Sequence, residues 1–147
     1  MEKSHAIENF RIAAGLSEGE FYGMVFQDSD VAKWLEGVAY SLAVKPDNEL
    51  EARADEIIDI IEKAQQPDGY LDTFFIVKEP EHRWQNLQEC HELYCAGHMM
   101  EAGVATIRQL EKTNCFMWWS VLLTILFQCS GKIKSRGFRG TRKLRSD

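Results

Sequence analysis

From Asp28 to Leu42 the chain reads Asp-Ser-Asp-Val-Ala-Lys-Trp-Leu-Glu-Gly-Val-Ala-Tyr-Ser-Leu, and the fold class follows from this run. Val31, Trp34, Leu35, Val38, Ala39 and Leu42 stand at offsets of three, four, seven, eight and eleven, which lays them along one side of a 3.6-residue helix. Asp28, Ser29 or Asp30 precedes the stripe, where a side-chain oxygen can accept from the unpaired amides of the first turn. The helix is expected to stop near Lys45-Pro46.

Beyond Pro46, Asp47 or Asn48 suits the cap of a second helix, Glu49 and Glu51 suit its positive end, and Leu50, Ala54, Ile57, Ile58 and Ile61 form its stripe. It is expected to reach about Gln66. Pro67-Asp68-Gly69 is a turn, and Tyr70-Leu71-Asp72-Thr73-Phe74-Phe75 reads as an extended or irregular loop. Before the first stripe, Ile7, Phe10, Ile12, Ala13 and Ala14 read as helix, and Gly15, Gly19 and Gly23 break the segment between the two helices. From Trp84 to about Glu111 there is no proline. Leu93, Met100, Val104 and Ile107 lie on one side of that segment and Leu87, Tyr94 and Ala105 on another, which predicts a long helix packed on several sides. No β pattern or repeat interrupts the series, so the class is all-α.

The length of 147 residues provides for one domain, and 45% hydrophobic with 27% charged residues is globular composition. The net charge of -6 conceals a break. Residues 1–113 hold 10 Lys/Arg against 22 Asp/Glu, a net of -12, whereas 114–147 hold 7 against one acid, a net of +6. An acidic body repels phosphate backbones, so no nucleic-acid partner is expected of it. The apolar run Phe116–Phe127, 12 residues long, is too short for a helix to cross a bilayer core of about 30 Å, and no membrane partner is expected. Met1-Glu2-Lys3-Ser4-His5 shows no secretory pattern, which makes the expected location cytoplasmic. Cys90, Cys95, Cys115 and Cys129 have no C-x-x-C spacing and are expected to be free thiols.

Three constellations can carry chemistry. On the long helix Leu87, His91, Tyr94, His98 and Glu101 follow one stripe with Cys95 beside it. His91, Cys95 and His98 have spacings open to metal ligation, although the zincin pattern needs a histidine where Cys95 stands. The same stripe can equally form a cavity wall that hydrogen-bonds a sugar, or a helix interface with satisfied histidines. In Gly23–Asp30, Phe26, Gln27 and Asp28 can grip a sugar through an aromatic face and polar oxygens, or the acids can simply cap the helix. Gln65–Asp72 is either a pocket-shaping turn or a plain connection. No Walker loop, dinucleotide fingerprint or G-x-S-x-G is present.

Taken in order, Ser4–Asn9, Met24–Leu35, Ala64–Thr73 and His91-Glu92-Leu93-Tyr94-Cys95-Ala96-Gly97-His98 resemble the N-terminal part of glycoside hydrolase family 127, the β-L-arabinofuranosidases. The resemblance covers residues 4–113 and implies a partial (α/α)6 barrel that forms one part of a catalytic domain. It implies an L-arabinofuranosyl-containing glycan as the partner of the intact enzyme, cleaved with retention by a zinc-bound cysteine nucleophile and a glutamate acid/base. Zinc is implied for the full-length family enzyme alone. The nucleophile, zinc ligands and acid/base lie downstream of every matched segment, so no cofactor and no catalytic residue is expected here. His91 is similar to a sugar-contacting position, and Phe26, Gln27 and Asp28 to a loop beside the pocket.

The resemblance stops near Asn114, where the charge balance turns over. Joining each residue's third codon base to the next residue's first two permits, from Ser120 onward, a string with Leu-Ala-Asp, Phe-Gly and Pro-Gly-His-x-Glu segments similar to the family's continuation. Residues 114–147 are therefore expected to be an out-of-frame tail. The resulting expectation is a truncated β-L-arabinofuranosidase-like hydrolase, inactive alone, whose uncovered apolar helix faces promote self-association. The alternative is a non-enzymatic helical module that binds carbohydrate and carries a basic tail for a membrane or polyanion.

Overall fold

The computed structural model describes residues 5–110. The apolar run at 116–127, the basic stretch after it, Cys115 and Cys129 lie outside the described residues. Among the described residues the α-helices are α1 (Ala6–Ala13), α2 (Asp28–Val44), α3 (Asn48–Ala64), α4 (Thr73–Val77) and α5 (Glu92–Leu110), with a 3-10 turn at Pro80–His82.

α1 buries Ala6, Ile7, Asn9 and Phe10. Asn9 fixes the glycine-rich loop after it, since its Nδ2 donates to the Tyr22 carbonyl at 2.8 Å and its Oδ1 accepts from the Tyr22 amide at 3.1 Å. α2 forms as its stripe predicts, burying Val31, Ala32, Leu35, Val38, Ala39 and Leu42, and it ends at Val44 before Pro46. The capping expectation fails there. Gln27 holds the N-cap position in helical geometry with no side-chain cap, because Asp28 turns inward and Asp30 accepts from Gln27 Nε2 at 3.0 Å.

α3 is capped by Asp47, whose Oδ1 accepts from the Glu49 and Leu50 amides, both at 3.1 Å. Asp47→Ala should therefore destabilise the protein by about 1 kcal/mol, read as a lower urea midpoint at unchanged slope. The helix stops at Ala64 rather than Gln66, as Gln65 takes an extended conformation. The predicted turn is present: the Gly69 amide donates to Gln66 O at 2.7 Å, and Gly69 adopts φ +83°, a value that favours glycine.

Two expectations are corrected. The stretch Tyr70–Phe75 is not all loop: Asp72 caps α4 by accepting from the Phe75 amide at 3.3 Å, in a helix too short to show a periodicity. The long helix begins at Glu92, not Trp84. Trp84 and His91 sit at φ +63° and +58°, left-handed values that a right-handed helix cannot include.

α2 and α5 form the most extensive helix pair, with α1 against α3 and α4, and α2 against α3. The core gathers Phe10, Val31, Leu35, Ile57, Ile58, Ile61 and Met99. α5 turns Cys95, Ala96, Met99, Ala102, Ala105 and Thr106 inward, and these mostly small side chains permit close approach. It is not enclosed on several sides, since Leu93, Tyr94 and Val104 are exposed, as are Tyr40 and Val44 of α2. Among the described residues no helix is long and apolar enough to cross a membrane.

Candidate functional site

The loop before α2 and the turn before α5 meet. Phe26 and His91 come together with ring centroids 5.3 Å apart, although they lie on different elements far apart in sequence. The left-handed backbone at His91 ends the turn and lets α5 start at the next residue, leaving the imidazole half-buried at the helix entrance. Its Nδ1 lies 2.6 Å from the Glu89 carbonyl. A carbonyl only accepts, so Nδ1 carries a proton, and Nε2 is the one ring nitrogen that can accept. The row of rings runs from His91 into α5, to Tyr94 at 5.8 Å and on to His98 at 4.6 Å. Gln27 stands beside Phe26, its Oε1 accepting from the Met24 amide at 3.4 Å.

Asp28 is placed differently from its neighbours. It is 2% exposed, with Oδ2 accepting from the Thr73 amide at 2.7 Å and Oδ1 from the Thr73 hydroxyl at 2.5 Å. Both oxygens are thus engaged in clasping α4 to α2, so Asp28 supports the Phe26–Gln27 loop from behind. Asp72 lies in the same buried region, and its Oδ2 has no hydrogen-bond partner among the described residues. Burial raises the pKa of both carboxyls, and the charge of Asp28 raises that of Asp72 further. Cys95 is buried beside them; burial, then the two acids, push its thiol up, so it stays protonated.

A second buried carboxylate organises the α5 entrance. Glu92 accepts from the Tyr70 hydroxyl at 2.5 Å and from the Trp84 amide at 3.0 and 2.9 Å through its two oxygens. Burial pushes the Glu92 carboxyl up, while those donors hold it down. The Arg83 guanidinium lies 4.3 Å from the Tyr70 ring centroid and 3.6 Å from Asp68, closing the turn over the loop. Reasoning from the sequence missed Glu92, Tyr70 and Asp72 as working residues. Their signal was present, since Glu92 adjoins His91 and the other two belong to the Gln65–Asp72 constellation.

The metal reading of His91, Cys95 and His98 does not survive the geometry. Cys95 faces the core as a buried thiol, His91 sits before the first turn of α5 on a left-handed backbone, and His98 Nδ1 lies 2.9 Å from Glu101 Oε2. Among the described residues no group of three or more histidine, cysteine or acidic side chains is placed to hold a metal ion. The zinc implied by the resemblance therefore finds no fitting donor set in residues 5–110, and no chemical step of this chain runs through it.

The fold and its ring-lined wall define the class: a segment of an (α/α)6 barrel that presents polar and aromatic side chains where its helices begin. The family model for the β-L-arabinofuranosidase GH127 catalytic domain matches residues 1–122, and the chain belongs to this family. It is 52% identical over 107 residues to the non-reducing end β-L-arabinofuranosidase of Bifidobacterium longum subsp. longum, a match covering 70% of this chain and 16% of that protein. A solved GH127 β-L-arabinofuranosidase from Geobacillus stearothermophilus T6 superposes with a TM-score of 0.75 at 56% identity, covering 94% of this chain and 21% of the other. A further solved GH127 β-arabinofuranosidase gives a TM-score of 0.70 at 32% identity, covering 99% and 23%. The chain thus spans about a sixth of the length of the curated relative.

Proposed function

We propose that this chain supplies the N-terminal wall of a β-L-arabinofuranoside pocket, with Phe26, Gln27 and His91 touching the sugar and Asp28 bracing their loop. The observation that carries this reading is the meeting of Phe26 and His91 at 5.3 Å, which joins two segments of the family pattern into one surface. The aromatic face packs on sugar C–H groups, while Gln27 and His91 Nε2 exchange hydrogen bonds with hydroxyls. The nucleophile and acid/base are not among the residues of this wall, so the chain binds without hydrolysing. Residues 1–113 are the barrel portion, and 114–147, with their reversed charge, are translated out of frame. Translating the locus in all three frames tests that boundary: absence of the family's continuation from every frame overturns it.

The wall is tested by titrating the full chain with methyl β-L-arabinofuranoside and following side-chain NMR signals. Shifts should appear at Phe26, Gln27 and His91, and His91→Ala should weaken binding by about tenfold, the worth of a well-placed polar contact. Binding indifferent to that substitution overturns the reading. A non-enzymatic role through the basic tail makes the opposite forecast, since retention on heparin would then depend on residues 114–147 rather than on His91.

A further inference from the structure

Past His91 the next ring is the exposed Tyr94 in the first turn of α5, and a cation addresses it from α2. Lys33 Nζ lies 2.8 Å from Tyr94 Oη and 3.2 Å from Ser29 Oγ. The same nitrogen is 5.0 Å from the Tyr94 ring centroid. An ammonium group has donors only, so the Tyr94 oxygen must accept at that distance. The phenol's own proton is then directed away from Lys33, and no acceptor for it is present among the described residues. Tyr94 is 43% exposed, which leaves that proton open to a ligand. The buried hydroxyl of Ser29 fixes the ammonium on its other side, and the phenol bond pushes the Lys33 pKa up, keeping the donor charged.

We infer that Lys33 is a positioning residue that sets Tyr94 as a hydrogen-bond donor beside the His91 acceptor, making a donor–acceptor pair for adjacent hydroxyls of a furanose. The inference rests on the wall proposed above. A sugar hydroxyl donates and accepts at once, and two neighbouring hydroxyls meet an imidazole Nε2 that accepts and a phenol O–H that donates. The His91 ring, set just before α5, and the Tyr94 ring in its first turn meet edge to face with centroids 5.8 Å apart, which holds the two groups side by side. Without Lys33, the phenol rotates freely and presents its lone pairs to the ligand as often as its proton. His91 would then lose its complement.

The test uses the full chain with methyl β-L-arabinofuranoside, reading affinity from the same NMR titration. Lys33→Met should weaken binding by about fivefold while the backbone signals of α2 and α5 keep their positions. Lys33→Arg, which still donates, should restore affinity to within about twofold of the parent. Tyr94→Phe should match Lys33→Met, and the double variant should lose no more than either alone. Lys33→Met at parental affinity, with His91→Ala still weakened, overturns the role of Lys33 and leaves the wall standing. Equal losses in Lys33→Met and Lys33→Arg also overturn it, because packing rather than donation would be responsible. No shift at His91 or Tyr94 in the parent chain overturns both readings together.

Discussion

Glu92→Ala is expected to cost roughly 2–5 kcal/mol, enough to threaten a domain whose whole margin is of order 5–15 kcal/mol. The carboxylate is 2% exposed and serves two donors at once: the Tyr70 hydroxyl and the Trp84 amide, the latter through both oxygens. Truncation leaves that amide and that hydroxyl buried or half-buried without a partner, and each orphan costs about 1–3 kcal/mol. It also removes a negative charge from the first turn of α5, where the helix dipole favours one. Local opening should accompany the loss. Trp84 and His91 hold left-handed backbones that relax once Glu92, which follows His91 and ties back to the Trp84 amide, is gone. Glu92→Gln keeps an accepting oxygen and should lose less than half as much. Urea unfolding of the three proteins measures the difference, and hydrogen exchange should show early opening at the α5 entrance in Glu92→Ala. A Glu92→Ala protein within about 0.5 kcal/mol of the parent, the usual scale of an unimportant surface change, would remove Glu92 from its organising place.

The helices that were legible in the sequence are those whose stripes face a continuous core. α2 and α3 run long enough for Val31–Leu42 and Leu50–Ile61 to mark one side, and both proline and the Asp47 cap punctuate them. α4 was illegible because its order comes from one side-chain bond, Asp72 to the Phe75 amide, rather than from a period. The start of α5 was illegible for a related reason. No proline or glycine marks Trp84–His91; a buried carboxylate several residues ahead folds that segment back on itself.

The site divides along the same line. His91, Phe26 and Gln27 stood out by residue type and by family pattern, and the structure brings Phe26 and His91 into contact. Asp28 stood in the same motif, yet its oxygens point to Thr73, a partner on a segment that reads as irregular in the sequence. A motif marks which residues stand together without marking which of them are turned into the core. Burial makes that distinction, and burial is a property of the packed helices.

The stability of this protein should fall as the solution becomes more alkaline, and Asp72 is the reason. Burial, and then the nearby charge of Asp28, push the Asp72 carboxyl from an ordinary 3.8 up to about 9, and burial pushes Asp28 up to about 6. The folded state therefore keeps protons that the unfolded chain releases above about pH 4. Where the folded state binds more protons, unfolding releases them and is favoured by rising pH. Below about pH 4 both states are protonated at Asp72 and the term is silent; through the interval up to about pH 9 stability declines, by at most about 1.4 kcal/mol per pH unit for one proton. The structural cause is burial: Oδ1 accepts from the Phe75 amide, but Oδ2 is buried with no donor among the described residues, so half of the charge goes uncompensated once ionised. Asp72→Asn removes the titration yet keeps an oxygen for the Phe75 amide. It should match the parent near about pH 4 and exceed it by at least about 2 kcal/mol near pH 9, with a visibly flatter profile between. Urea midpoints at intervals across that range decide the matter. Parallel profiles for the two proteins would place the buried proton elsewhere, with Asp28 as the next group to replace, whereas convergence at low pH and divergence at high pH would assign it to Asp72.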